Sequence, residues 1–132
     1  EGLQDGTIDV IATDHAPHSK EEKDREFVKA PSGIIGLETA LSLGIMNLVE
    51  PGYLSLSQLV ARMSTEPAKI YDLDAGTLKE DALADIVLFD PKKEWTYDRS
   101  YSKSSNSPWL HQQLRGKVVM TICGGRIVYR EE

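Results

Sequence analysis

The chain has 132 residues, 40% of them hydrophobic, and its 21 acidic side chains outnumber the 15 basic ones for a formal net charge of −6, so it can bury a core while nucleic acid and acidic lipid are disfavoured as partners. No apolar run approaches the ~20 residues that cross a bilayer and no signal peptide is read, which makes the cytoplasm the expected location. The lone Cys123 rules out an internal disulfide, and its neighbours Val118, Val119 and Ile122 predict a buried, reduced thiol.

Glu1-Gly2-Leu3-Gln4-Asp5-Gly6 leads at once into an expected strand over 7–13, where Ile8, Val10, Ile11 and Ala12 run almost continuously, as in a strand covered on both faces. A lone strand needs neighbours to pair with, so the sequence reads as though it begins inside a longer fold. Residues 15–31 read as a loop bracketed by Pro17 and Pro31. Its mixed-sign centre, Lys20 to Glu26, is a solvated loop or one helical turn, with a mobile lid as the alternative. A helix is predicted over 36–50, with Leu37, Ala40, Leu41, Ile45, Leu48 and Val49 on one face and Pro51-Gly52 ending it. Ser55-Leu56-Ser57-Gln58 matches a capping box that opens a second helix, with Leu59, Val60 and Met63 facing inward. Thr65-Glu66-Pro67 predicts a third helix start, with Ile70 and Tyr71 packed inward and an end near 74–76.

From there the period changes. Strands are expected over 76–78, over 84–89 with Asp90-Pro91 closing it, over 117–123 and over 126–130, and Gly124-Gly125 reads as a two-residue hairpin. Residues 100–108 form a polar loop without periodicity. The organisation is α/β in two parts: strand, loop and helices over 1–75, then a small antiparallel β part over 76–132.

Chemistry concentrates in Thr13-Asp14-His15-Ala16-Pro17-His18, just past the first expected strand, where polar groups of a parallel α/β protein face the mouth of the fold. Asp14 offers a hard oxygen ligand and a proton acceptor, and His18 an imidazole for an anion or a metal. Pro17 disfavours helix at Ala16, so Asp14 and His18 belong to a shaped loop. Spacing alone leaves Asp14 open between N-cap or turn residue and ligand or catalyst. His15 reads as a packed or loop histidine and His111 as structural. Gly33 and Gly36 either let backbone approach a ligand at the helix start or simply make a turn.

Taken together, residues 9–18 (Asp-Val-Ile-Ala-Thr-Asp-His-Ala-Pro-His), 29–39 (Lys-Ala-Pro-Ser-Gly-Ile-Ile-Gly-Leu-Glu-Thr) and 84–90 (Ala-Asp-Ile-Val-Leu-Phe-Asp) resemble the C-terminal third of a bacterial class I dihydroorotase, in the amidohydrolase superfamily. Residues 114–118 and 124–129 resemble its last strands. The resemblance implies the C-terminal portion of a (β/α)8 barrel over 1–75, holding the last strand and its helices, and part of the adjoining small β-sandwich over 76–132. It also implies zinc-dependent, reversible cyclisation of N-carbamoyl-L-aspartate to L-dihydroorotate in pyrimidine biosynthesis. Asp14 would be a zinc ligand that takes a proton from the bridging water and returns it to the leaving nitrogen. His18 would bind the substrate carboxylate, and Ser32 and Gly33 would contact substrate through backbone; the family often has an aromatic where Ser32 stands. The His-x-His pair and the other ligands belong to the N-terminal two thirds of the family's barrel, so this chain alone is expected to be inactive and not to retain zinc. That missing part is the first partner implied, with a homo-oligomer or an aspartate transcarbamoylase beyond it. Two competing readings are a non-catalytic scaffold that binds a carbamoyltransferase, and a hydantoinase- or allantoinase-type cyclic amidase. The related amidases tend to lack a histidine at the position of His18.

Overall fold

The computed structural model describes residues 1–131. Two single helical turns, α1 (Gly2–Asp5) and α2 (Lys20–Lys23), precede α3 (Ala40–Gly44), α4 (Leu56–Val60) and α5 (Glu66–Ile70). Three strands follow: β1 (Ile86–Thr96), β2 (Gln113–Cys123) and β3 (Arg126–Arg130). They form one antiparallel sheet in the order β1-β2-β3. Among the described residues no helix is long and apolar enough to cross a membrane.

The helix starts follow from local chemistry. Ser55 Oγ accepts the Gln58 N–H at 3.2 Å while Gln58 Oε1 accepts the Ser55 N–H at 2.7 Å, so two backbone donors that the helix leaves free are satisfied at the start of α4. Both long helices then widen by one residue per bond: α3 continues through Ile45–Val49, where the Glu50 N–H reaches Ile45 O at 2.9 Å, and α4 through Ala61–Thr65. Thr65 has helical dihedrals (φ −65°, ψ −46°), so Thr65-Glu66-Pro67 continues one helix and is not a third start. The proline's missing N–H falls at the junction where the ladder changes pitch. Ile70 and Tyr71 lie on the solvent side, 58% and 73% exposed, contrary to the inward packing their hydrophobicity suggests.

The segment 7–13 is not a strand. Its backbone makes scattered ties and no ladder: the Ile8 N–H donates to Gly2 O at 2.9 Å and the Ile11 N–H to Arg62 O at 3.0 Å, the latter supported by the Arg62–Asp9 ion pair at 3.3 Å. Ile8 is half exposed. A strand exists only with a partner, and among the described residues none lies alongside to complete the ladder. Residues 76–78 are likewise irregular. Asp90-Pro91 does not end β1: Asp90 Oδ1 accepts the Lys92 N–H at 2.8 Å, the register slips between Asp90 and Glu94, and pairing resumes as Glu94 meets Arg115. Gly124 and Gly125, with φ of 53° and 75°, make the tight hairpin turn that their sequence predicts. Cys123, the last residue of β2, is exposed and not buried, because that end of the strand meets the turn and not the core.

Helices and sheet share one core. Ile45, Leu59, Tyr97 and Leu114 are almost fully buried. At its centre the buried Ser42 Oγ donates to Gly116 O at 2.6 Å, and Trp95 Nε1 reaches the same carbonyl at 3.2 Å. Gly116 (φ 87°) is required here, since a Cβ would stand 2.3 Å from Ile45 Cδ1. Burial pushes the Tyr97 phenol above its ordinary pKa; Ser100 draws it back and the Glu38 carboxylate adds to the rise.

Candidate functional site

The Asp14–His18 loop is fastened to the segment that leads into α3. The Ala16 N–H donates to Ile34 O at 2.9 Å. His15 Nδ1 accepts the N–H groups of Gly36 at 3.0 Å and Leu37 at 3.4 Å, so the neutral ring carries its proton on Nε2. The packed-histidine reading of His15 thus becomes a clamp between two loops. Gly33 has φ 105° and its missing Cβ would lie 2.6 Å from Ala16 Cβ, so no other residue allows the loops to approach this closely.

Asp14 occupies the left-handed region at φ 45°, unusual for a residue with a Cβ although tolerated best by Asp and Asn. Its side chain is exposed and caps no helix; the cap of α2 is Ser19. His18 keeps 29% of its side chain accessible, with Nδ1 3.8 Å from Glu22 Oε2. Glu22 is held by Ser19, whose N–H it accepts at 3.0 Å in a second capping box. That backbone bond, then the Ser19 hydroxyl and the His18 imidazole, lower the Glu22 carboxyl below its ordinary pKa.

Ser32 and Gly33 are exposed. The backbone around them is fixed from two sides. Lys23 Nζ donates to Pro31 O at 2.6 Å and to Gly33 O at 3.2 Å, and Asn106 Nδ2 donates to the same Gly33 carbonyl. Asn106 O also accepts the Ile35 N–H at 2.9 Å, and Glu38 Oε1 accepts Ser100 Oγ at 2.6 Å, so the polar loop 100–108 braces the entry to α3. The structure therefore joins the His15–Ala16 and Gly33–Leu37 backbones directly, and links His18 to Ser32-Gly33 through α2.

Sequence reasoning missed Glu22, Lys23 and Asn106. Ser19-x-x-Glu22 was a legible capping box; Asn106 gave no signal, because it acts on a residue 73 positions away. A groove of about 630 Å³ between α3 and the sheet, lined by Leu37, Leu41, Trp95, Tyr101 and Val118, includes none of Asp14, His18, Ser32 or Gly33. Among the described residues no group of three or more His, Cys, Asp or Glu could hold a metal ion. Asp14 fits a single coordination position, with no hydrogen bond or ion pair engaging its carboxylate among the described residues, and does not make a site by itself.

The Amidohydrolase family pattern matches residues 1–128. The chain is 63% identical over 129 residues to the dihydroorotase of Clostridioides difficile (strain 630) and 54% identical over 131 residues to that of Lactococcus lactis subsp. lactis (strain IL1403). In both cases the match takes in 98% of this chain and 31% of the relative, so the chain spans about a third of the length of these curated relatives. The solved dihydropyrimidinase from Brevibacillus agri NCHU1002 superposes with a TM-score of 0.88 at 29% identity, over 98% of this chain and 30% of that one.

Proposed function

Since the chain belongs to the amidohydrolase family, we propose that it is a dihydroorotase segment, acting within the longer protein on N-carbamoyl-L-aspartate and L-dihydroorotate. The observation that carries this reading is the 63% identity to a dihydroorotase across 98% of the chain, well above the 29% to the dihydropyrimidinase. Residues 1–75 would supply the last strand and helices of the barrel and residues 76–132 part of the adjoining β-sandwich. Segment 7–13 would pair once the remainder of the barrel flanks it, which accounts for its apolar, half-exposed Ile8. The cytoplasm is its proposed location, and a second copy or an aspartate transcarbamoylase its proposed partner.

Proteins of this kind are generally metal-dependent. Zinc held by Asp14 together with ligands from the rest of the longer protein would acidify water and polarise the amide carbonyl. In hydrolysis Asp14 takes the proton of the attacking water as its oxygen bonds to the ring carbonyl carbon, and delivers that proton to the ring nitrogen as the C–N bond breaks. Cyclisation runs these transfers backwards. The free carboxylate of Asp14, unengaged by any cap, supports this role. His18 binds the substrate carboxylate and the backbone at Ser32 and Gly33 contacts the substrate, and their linkage through α2 supports a shared task.

The test uses the full-length protein carrying this segment. It should hydrolyse dihydroorotate, and His18→Ala should raise KM by about tenfold or more, the loss of one charge-assisted hydrogen bond. Turnover of a hydantoin without turnover of dihydroorotate would overturn the proposal.

A further inference from the structure

We infer that Lys23 is a positioning residue for substrate binding, an inference that rests on the dihydroorotase reading. Its ammonium carries three protons and no acceptor, and among the described residues it forms no ion pair. Instead it donates to the carbonyls on either side of Ser32: Pro31 O at 2.6 Å and Gly33 O at 3.2 Å. Bonds from a charged donor are shorter and about twice as strong as neutral ones, so the two carbonyls are held firmly.

The consequence follows from the planar trans peptide, in which N–H and C=O point in opposite directions. Among the described residues no peptide bond is cis. Holding Pro31 O fixes the N–H of Ser32, and holding Gly33 O fixes the N–H of Ile34, both directed away from Lys23. Neither N–H has an acceptor among the described residues. Two backbone donors are thus kept oriented and open at the segment proposed to contact the substrate. Asn106 doubles the hold on Gly33 O from the β part.

Lys23 is itself placed by α2. The Ser19–Glu22 capping box starts that turn, Lys23 ends it, and the neighbouring Glu22 lies 3.8 Å from His18 Nδ1. One helical turn therefore carries both the carboxylate beside His18 and the ammonium that holds the Ser32-Gly33 backbone. Lys23 acts through these groups and does not touch the reacting atoms.

Lys23→Met in the full-length, metal-loaded protein tests this. The expected result is a rise of about tenfold in KM for dihydroorotate, with kcat within about twofold of wild type and metal content unchanged. Lys23→Arg, whose guanidinium can still donate to two carbonyls, should restore most of the affinity. An unchanged KM, a fall in kcat with KM constant, or no rescue by arginine would overturn the role of Lys23 while leaving the functional reading intact. A wild-type protein inert towards dihydroorotate would refute the functional reading itself, and this inference with it. Should Lys23→Met fail to fold, Asn106→Ala removes the second donor to Gly33 O and is read in the same way, with an expected KM rise of about threefold and overturned by none.

Discussion

Gly116→Ala probes the contact on which helices and sheet depend. Two costs add: a left-handed φ of 87° imposed on a residue with a Cβ, about 1–2 kcal/mol, and a new methyl 2.3 Å from Ile45 Cδ1, about 1–3 kcal/mol of overpacking. A built-in control separates them. Gly52 has nearly the same dihedral, φ 80°, but nothing lies within 4 Å of where its Cβ would stand. Gly52→Ala should therefore cost only the backbone part, and the difference between the two variants reports the clash, about 2 kcal/mol. Trp95, whose Nε1 donates to Gly116 O, gives a local fluorescence signal for urea unfolding of the purified protein. Ile45→Val removes the offending Cδ1; alone it should destabilise by about 1 kcal/mol, but in the Gly116→Ala background it should be neutral or stabilising. Equal costs for Gly116→Ala and Gly52→Ala, or strict additivity with Ile45→Val, would refute the claim that the interface is held at contact distance by a glycine.

Glu131 bridges Lys93 at 2.7 Å and Lys117 at 2.8 Å, and the bonds to Lys117 and then Lys93 lower its carboxyl below the ordinary glutamate range. A depressed carboxyl stabilises above the unfolded pKa and loses that contribution as pH falls through the folded one. Wild type should therefore exceed Glu131→Gln in stability by about 1 kcal/mol at neutral pH, with the gap closing below about pH 4.5 in a series of thermal melts. Ser55→Ala deletes the acceptor of the Gln58 N–H and should cost about 1 kcal/mol in denaturant unfolding, whereas Ser57→Ala, which removes only the exposed hydroxyl contact with Ser55 at 3.1 Å, should cost far less.

The features legible in the sequence were those decided within four or five residues. The Ser55–Gln58 box, the Pro51-Gly52 stop and the Gly124-Gly125 hairpin depend on local backbone donors and on positive φ, which residue type reports directly. Segment 7–13 was misread because hydrophobicity announces a surface to be covered but cannot supply the neighbour that covers it. Cys123 failed for a similar reason: its apolar neighbours predict burial, yet at the end of β2, beside the turn, it is exposed. Proline after Asp90 reads as a stop, yet Arg115 bridges Glu94 at 2.9 Å and Glu50 at 2.7 Å and draws the chain back into register beyond it. At the candidate site, Asp14 and His18 stand out by chemical type and loop placement. The residues that hold their surroundings do not, since a lysine in a charged run and an asparagine in a serine-rich loop look like solvated surface until the fold brings carbonyls to them.

The kink at Asp90-Pro91 has a further effect at the margin of the sheet. Among the described residues β1 is an outer strand of its sheet, and an outer strand with an uninterrupted row of free amides invites another polypeptide to add itself alongside. Here the row is broken in the middle: proline offers no amide, and Lys92 turns its own back onto the Asp90 side chain. A foreign strand could match only a few residues on either side before losing step. The irregularity that spoils the ladder thus serves as a guard against intermolecular sheet growth.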